Sequence, residues 1–186
     1  MKVIAGTARG TKLKSPQGDS VRPTAGLVRE ALFNIIGQKV IGAHFVDLYA
    51  GSGAVGIEAL SRGAKLAVFI ENNRSSQKLI EDNLARTRFL ERARIIKTDV
   101  MGGLSFLAVE SFQAELIYLD PPYAGSYITP TLKSILEKGL LTENGLIIVE
   151  HSCSNRECQD NYPGVREKRY GKRCLSIISP MSLQQL

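Results

Sequence analysis

The chain has 186 residues, 44% of them hydrophobic, with a formal net charge of +6; this length suggests one domain with a sizeable core, and the composition is not that of a disordered chain. No apolar run approaches the roughly 18 residues of a membrane span, and Met1-Lys2-Val3-Ile4-Ala5-Gly6 lacks the apolar core of a signal peptide, so a cytoplasmic protein with no membrane partner is expected. Cys153, Cys158 and Cys174 are odd in number and lack paired C-x-x-C spacing, which predicts free thiols in a reducing compartment and no structural metal.

The positive charge is concentrated near the ends. Residues 1–40 carry Lys2, Arg9, Lys12, Lys14, Arg22, Arg29 and Lys39 against Asp19 and Glu30, and Arg166, Lys168, Arg169, Lys172 and Arg173 cluster against Glu167. Such clustering favours contact with nucleic acid phosphates over an ordinary solvated surface. Residues 3–5 and 11–14 flank Gly6-Thr-Ala-Arg-Gly10 and read as two short strands too small to stand alone. Apolar positions 27, 28, 31, 32, 35 and 36 then repeat at helical period, predicting a helix after Arg22-Pro23 with Thr24 as its cap. Arg22 and Arg29 read either as contacts for phosphates or a cofactor carboxylate, or as surface arginines of an amphipathic helix.

From residue 44 strands and helices alternate: strand 44–48, helix 54–63, strand 66–70, helix 74–87, strand 93–97, helix 101–109, strand 115–119, helix 129–138 and strand 145–150. This predicts an α/β fold with a mostly parallel sheet covered on both faces. Runs at 164–170 and 174–179, joined by Gly171-Lys172-Arg173, predict an antiparallel edge hairpin.

The first strand runs into Asp47-Leu-Tyr-Ala-Gly51-Ser-Gly53-Ala-Val-Gly56, a strand, glycine loop and helix N-terminus with G-x-G-x-x-G spacing. The glycines permit a tight turn, close approach of backbone to a ligand, and close helix-to-strand packing. Glu71 follows the next strand, twenty residues after Gly51, where an acid suits a ribose diol. A nucleoside-bearing cofactor is therefore expected. Asp47 argues against a nicotinamide dinucleotide, because a carboxylate repels a pyrophosphate but suits the cationic amino-acid part of S-adenosylmethionine, directly or through water. It also reads as a loop or cap residue. Asp99, after the third strand and expected beside the end of the glycine strand, is a candidate for the cofactor's adenine amine and equally a helix cap.

The fourth strand ends in Asp120-Pro121-Pro122-Tyr123, which in an open parallel sheet lies at the ligand-binding ends of the strands. The prolines fix φ and remove two N–H donors. Asp120 and the Pro121 carbonyl are then two acceptors suited to the two hydrogens of an exocyclic amine on a base, and Tyr123 offers a stacking ring. A rigid polar turn is the bland alternative. His44 and His151 have no nucleophilic partner at recognisable spacing and read as local packing residues.

The chain resembles the RsmD family of bacterial small-subunit ribosomal RNA guanine-N2 methyltransferases, Rossmann-like class I enzymes that use S-adenosylmethionine. The likeness runs from Val3-Ile-Ala-Gly6 through Arg22-Pro-Thr24, Arg29-Glu-Ala-Leu-Phe-Asn34, Asp47-Leu-Tyr-Ala-Gly-Ser-Gly53, Gly56-Ile-Glu-Ala-Leu-Ser-Arg-Gly63, Glu71-Asn72, Asn83-Leu84 and Asp120-Pro-Pro-Tyr123 to Tyr170-Gly171. It implies cofactor binding by Asp47, Tyr49, Gly51, Ser52, Gly53, Glu71, Asn72, Asp99 and Val100, with Arg22 and Thr24 from the N-terminal segment. It implies catalysis by Asp120, Pro121 and Tyr123 on a guanine of 16S rRNA, with residues 1–40 as a basic extension holding RNA, residues 41–186 as the core, and a monomer acting on a small subunit or its assembly intermediate. Gly171-Lys-Arg-Cys174 and the polar segment 151–162 depart from the pattern and are expected to affect RNA contacts more than chemistry. Rival expectations are a DNA adenine-N6 or cytosine-N4 methyltransferase, a non-catalytic RNA-binding module, and a nicotinamide oxidoreductase.

Overall fold

The apolar runs of the alternating region become neighbouring strands of one seven-stranded sheet. In the computed structural model, which describes residues 1–16, 23–122, 127–162 and 164–180 (23–25 as backbone alone), β1 (His44–Asp47), β2 (Leu66–Ile70), β3 (Ala93–Ile96), β4 (Ala114–Leu119) and β5 (Leu141–Ser152) run parallel. β6 (Arg166–Tyr170) and β7 (Arg173–Ile178) add an antiparallel edge. The order is β3-β2-β1-β4-β5-β7-β6, the α/β Rossmann-like arrangement expected.

Runs such as Ala67–Ile70 and Leu116–Leu119 are buried without alternation because helices cover both faces. On one face α1 (Pro23–Ile36) sets Val28, Leu32 and Phe33 against Phe45, Leu116 and Ile148. On the other, α4 (Val100–Val109) and α5 (Ile128–Glu137) set Leu104, Leu107, Leu132 and Ile135 against Val46, Val68, Ile117 and Ile147. Helices α2 (Ala54–Ser61) and α3 (Arg74–Thr87) pack Ile57, Leu60, Ile80 and Leu84 around Phe69, a cluster that also takes in Val3 and Leu13.

Several local expectations change. The N-terminal pair of strands reduces to one antiparallel bridge, Lys2 to Lys12; the turn between them is bonded within itself, Arg9 N–H to the Gly6 carbonyl and Thr11 N–H to the Ala8 carbonyl, and to α2 through the Thr7 and Ala8 N–H groups on Ser61. α1 begins at Pro23, so Thr24 lies inside its first turn rather than before it; proline at the first helical position forfeits no hydrogen bond there. Arg22 lies outside the described residues. β5 starts at Leu141, four residues early, because a register shift opposite Ala114 lets Thr142–Gly145 remain in the strand. The polar segment after β5 holds a short helix, α6 (Glu157–Asn161), too brief to show an apolar period.

The cysteines also differ from expectation: Cys153 and Cys174 are disulfide-bonded, Cα atoms 5.1 Å apart. Their adjacency arises from the antiparallel β5–β7 register, which sets Ser152 opposite Arg173 and leaves no mark in linear spacing. Cys158 stays a buried thiol, its pKa pushed up to about 11 by burial.

The N-terminal segment is fastened by a buried carboxylate. Glu58 on α2 is fully buried, accepts from the N–H groups of Ile4 and Ala5 at 2.8 and 2.9 Å, and pairs with Arg62 at 2.8 Å. Arg29 lies 3.7 Å from the same carboxylate and donates to the Lys2 carbonyl at 2.7 Å. It is 7% exposed, so it is an internal brace and neither a phosphate contact nor a surface arginine. Removing one member of a buried ion cluster strands the others, at about 3–5 kcal/mol. Glu58→Ala should therefore lower the unfolding free energy in urea by that amount; a loss under about 0.5 kcal/mol would contradict the role given to this cluster.

Candidate active site

The order of strands reverses between β1 and β4, since β2 and β3 lie to one side and β4 and β5 to the other. Ligands bind at such a switch, beyond the carboxyl ends of the strands. A cavity of about 500 Å³ opens there, within the range of small-molecule sites. It brings together Tyr49 and Gly51 after β1, Glu71 and Asn72 after β2, Asp99 and Val100 after β3, and Asp120 after β4. Asp99 reaches it from further away than expected, because β2 separates β3 from the glycine strand. Its carboxylate also caps α4, accepting from the Gly102 N–H at 2.7 Å. Thr98, Met101, Tyr127 and Thr131 complete much of the wall; Thr98 was discoverable as the neighbour of Asp99, while the others belong to no motif.

The glycine loop divides its work. Gly51, with φ 53°, faces the cavity, and a Cβ placed on it would meet nothing within 4 Å. Gly53, with φ 75°, is outside the lining, and a Cβ there would meet Ile80 at 3.2 Å. At Gly56 a Cβ would strike the Phe69 ring at 2.3 Å, so its absence sets the close contact of α2 with β2. Ser52 also lies outside the lining: its carbonyl accepts from Asn83 Nδ2 at 2.9 Å. Fully buried Asn83 holds the Lys14 N–H and carbonyl as well, at 2.7 and 3.0 Å, and so joins the basic N-terminal segment to the loop. Glu71 accepts from the Gly51 N–H and the Asn73 N–H, each at 2.8 Å, holding its carboxylate at the cavity wall.

Asp47 lies behind the cavity. It is 1% exposed, and its Oδ2 accepts from the Gly56 N–H at 3.2 Å, which places the carboxylate at the N-terminus of α2, where a helix favours negative charge. Burial lifts its pKa to about 7; the Gly56 hydrogen bond opposes the rise, and the charges of Asp120 and Glu71 add to it. The folded value exceeds the unfolded one, so this group's contribution to stability is full below about pH 4 and is lost as pH rises through about 7.

Asp120 is engaged by a residue that the sequence grouped with the nucleic-acid cluster. Arg173 Nη2 donates to Asp120 Oδ1 at 2.9 Å, its Nε pairs with Glu150 Oε1 at 2.8 Å, and Tyr118 Oη donates to Glu150 Oε2 at 2.5 Å. The hairpin at Gly171–Cys174 thus reaches the Asp120-Pro121-Pro122 motif, a contact not expected of a segment read as affecting RNA contacts more than chemistry. Burial raises the Asp120 pKa, as does the Glu150 charge, while Arg173 pulls it back. Pro121 lines a second cavity of about 330 Å³ with His151, Asn155, Glu157 and Arg173, and Pro122 lines both cavities. Tyr123 lies outside the described residues, as does the side chain of Thr24. His151 bonds internally to Ser176 Oγ at 2.8 Å, a packing role. Among the described residues, no group of three or more His, Cys, Asp or Glu is placed to hold a metal ion, and no helix is long and apolar enough to cross a membrane.

A family described as Conserved hypothetical protein 95 matches residues 1–179. Ribosomal RNA small subunit methyltransferase D of Escherichia coli K12 is 38% identical over 156 residues, 83% of this chain and 76% of that protein. The chain belongs to this methyltransferase D family. The protein of the same name from Haemophilus influenzae is 33% identical over 153 residues, covering 81% and 78% of the two chains. A solved structure of a hypothetical protein from Thermus thermophilus matches with a TM-score of 0.80 at 28% identity, over 96% of this chain and 99% of that one.

Because Gly51 opens on the cavity with left-handed φ, Gly51→Val should weaken S-adenosylmethionine binding by more than about tenfold in calorimetric titration. Gly53→Ala should act on folding instead, through Ile80. Unchanged affinity in a folded Gly51→Val protein would remove the loop from the cofactor site.

Proposed function

We infer that the protein is an S-adenosylmethionine-dependent methyltransferase of ribosomal RNA, and that its target is the exocyclic N2 amine of a guanine in 16S rRNA. The observation that carries this is Asp120: a carboxylate at the end of β4, one strand across from the glycine loop, facing the cavity that Gly51 and Glu71 line. Names borne by the relatives give the RNA class. Residues 1–186 act in this reading as one catalytic unit in the cytoplasm, a monomer whose basic N-terminal extension holds RNA within a small subunit or assembly intermediate.

S-adenosylmethionine, when bound, supplies the methyl group as an electrophilic sulfonium. Tyr49, Gly51, Glu71, Asn72, Asp99 and Val100 would hold it, with Glu71 suited to the ribose hydroxyls and Asp99 to the adenine amine. Asp47 acts from behind by fixing α2 against the loop. The chemical difficulty lies with the nucleophile, because the lone pair of an aryl amine is delocalised into its ring. Asp120 and the Pro121 carbonyl, on a loop stiffened by two prolines, each accept one N–H, which draws the lone pair out of conjugation and aims it at the methyl carbon. Tyr123 stacks on the base. After transfer the nitrogen is cationic and strongly acidic, so Asp120 or water removes its proton without need of a stronger base.

These acceptors matter most as the amine pyramidalises, so Asp120→Ala should slow single-turnover transfer by about 10² to 10³ with S-adenosylmethionine affinity retained. Asp120→Asn, which keeps an acceptor oxygen, should fall between it and wild type. An Ala enzyme transferring within about threefold of wild type would end this mechanism.

A further inference from the structure

Asp120 has two carboxylate oxygens, and they face different tasks. Oδ1 takes the Nη2 hydrogen of Arg173 at 2.9 Å, which leaves Oδ2 as the oxygen not used in that bond. Arg173 is in turn held in place. Its Nε is fixed on Glu150 Oε1 at 2.8 Å, and Glu150 is anchored through its other oxygen by the Tyr118 hydroxyl at 2.5 Å. The next residue, Cys174, is bonded to Cys153 beyond the end of β5. By side chain Arg173 is only 17% exposed and Glu150 10%, while Asp120 at the cavity keeps 35%, so dielectric screening is weakened most at the Arg173–Glu150 end of this chain of contacts. A cation pinned so firmly beside a carboxylate fixes that carboxylate's rotamer and favours its charged form, against the burial and the Glu150 charge that raise its pKa to about 7 even with Arg173 in place.

We propose that Arg173 is a positioning residue for methyl transfer: it locks Asp120 by Oδ1 and favours its charged form, so that Oδ2 is presented to the target amine. This inference rests on the assignment of Asp120 as the amine acceptor. It also gives a second use to the C-terminal hairpin, whose strand β7 delivers the guanidinium 53 residues along the chain from the carboxylate it serves.

The charges around Asp120 determine the signs. Glu150 from β5 disfavours its ionisation, Arg173 from β7 favours it, Asp47 from β1 is itself raised by the Asp120 charge, and Tyr118 from β4 stays a neutral donor because burial holds its pKa well above the usual tyrosine value. A protonated Asp120 binds its proton on one of the two oxygens needed for Arg173 and the amine, so transfer should rise with pH as the proton leaves. Replacing Arg173 by Met removes the favourable charge and should move this acid limb upward by roughly 1–3 pH units, an approximately tenfold or larger loss at a pH on the limb, with recovery at alkaline pH. Arg173→Lys keeps the charge and should restore the limb most of the way, with a residual loss of rate from the missing second contact. Glu150→Gln keeps an acceptor for Arg173 but removes a negative neighbour, and should move the limb downward.

The test is the pH profile of single-turnover transfer for wild type, Arg173→Met, Arg173→Lys and Glu150→Gln at saturating S-adenosylmethionine and 16S rRNA, with cofactor affinity and melting temperature measured for each. Opposite shifts for Arg173→Met and Glu150→Gln support the proposal. A profile unchanged in Arg173→Met, or shifts of the same sign, would overturn it, and if that Met variant fails to fold the Lys and Gln variants still give the sign. The nucleoside formed by wild type is identified in the same reactions. N2-methylguanosine with unmoved profiles sinks only the role of Arg173, whereas another product sinks the assignment of the target.

Discussion

Two carboxylates at neighbouring strand ends are the constraint around which this molecule is built. Asp47 closes β1, and Asp120 follows β4, which is paired to β1 with Asp47 opposite Tyr118. Asp47 is buried while Asp120 keeps 35% of its side chain exposed, and burial together with neighbouring negative charge raises the pKa of both. Even with a partner each, both have pKa values raised to about 7, and without one they would hold their protons to higher pH still. The fold answers with one partner for each. The N-terminus of α2 brings the Gly56 N–H to Asp47, and β7 brings Arg173 to Asp120. The glycine fingerprint therefore does more than make room for a ligand. Gly56 lets α2 lie against Phe69, which is what carries the helix end to Asp47.

The basic extension is coupled to the same region by buried polar side chains. Glu58 on α2 gathers Arg29, Arg62 and the backbone of residues 4 and 5, while Asn83 on α3 binds both Lys14 and the carbonyl of Ser52. One contiguous set of hydrogen bonds thus runs from the segment assigned to RNA to the loop assigned to the cofactor. Buried groups of this kind tolerate loss of a partner poorly, so these bonds fix the register of a segment whose Val3, Leu13 and α1 also pack apolar side chains on the core.

What the sequence revealed was local. The loop Asp47–Gly56, the acid at Glu71 and the motif at Asp120 each lie within one strand-and-turn unit, and β2 and α3 occur at the predicted residues, 66–70 and 74–87. Periodicity reports which faces are buried, and topology then carries those residues to one crevice. What stayed hidden depends on pairing across the chain. The bond from Cys153 to Cys174 and the clamp of Arg173 on Asp120 exist only because β7 runs antiparallel to β5. Asp47 shows another limit, since the sequence named it as a site acid but could not tell whether it faced the ligand or the helix behind. Arg29 gave no sign of its burial because the carboxylate it meets lies on a different helix.

The chemistry proposed for Asp120 acts on one amine, and the product nucleoside reports which. Purified protein incubated with labelled S-adenosylmethionine and either free 16S rRNA, small subunits or DNA, followed by digestion and mass identification of the labelled nucleoside, should yield N2-methylguanosine from ribosomal RNA. Label in N6-methyladenine or N4-methylcytosine of DNA, with none in ribosomal RNA, would contradict it.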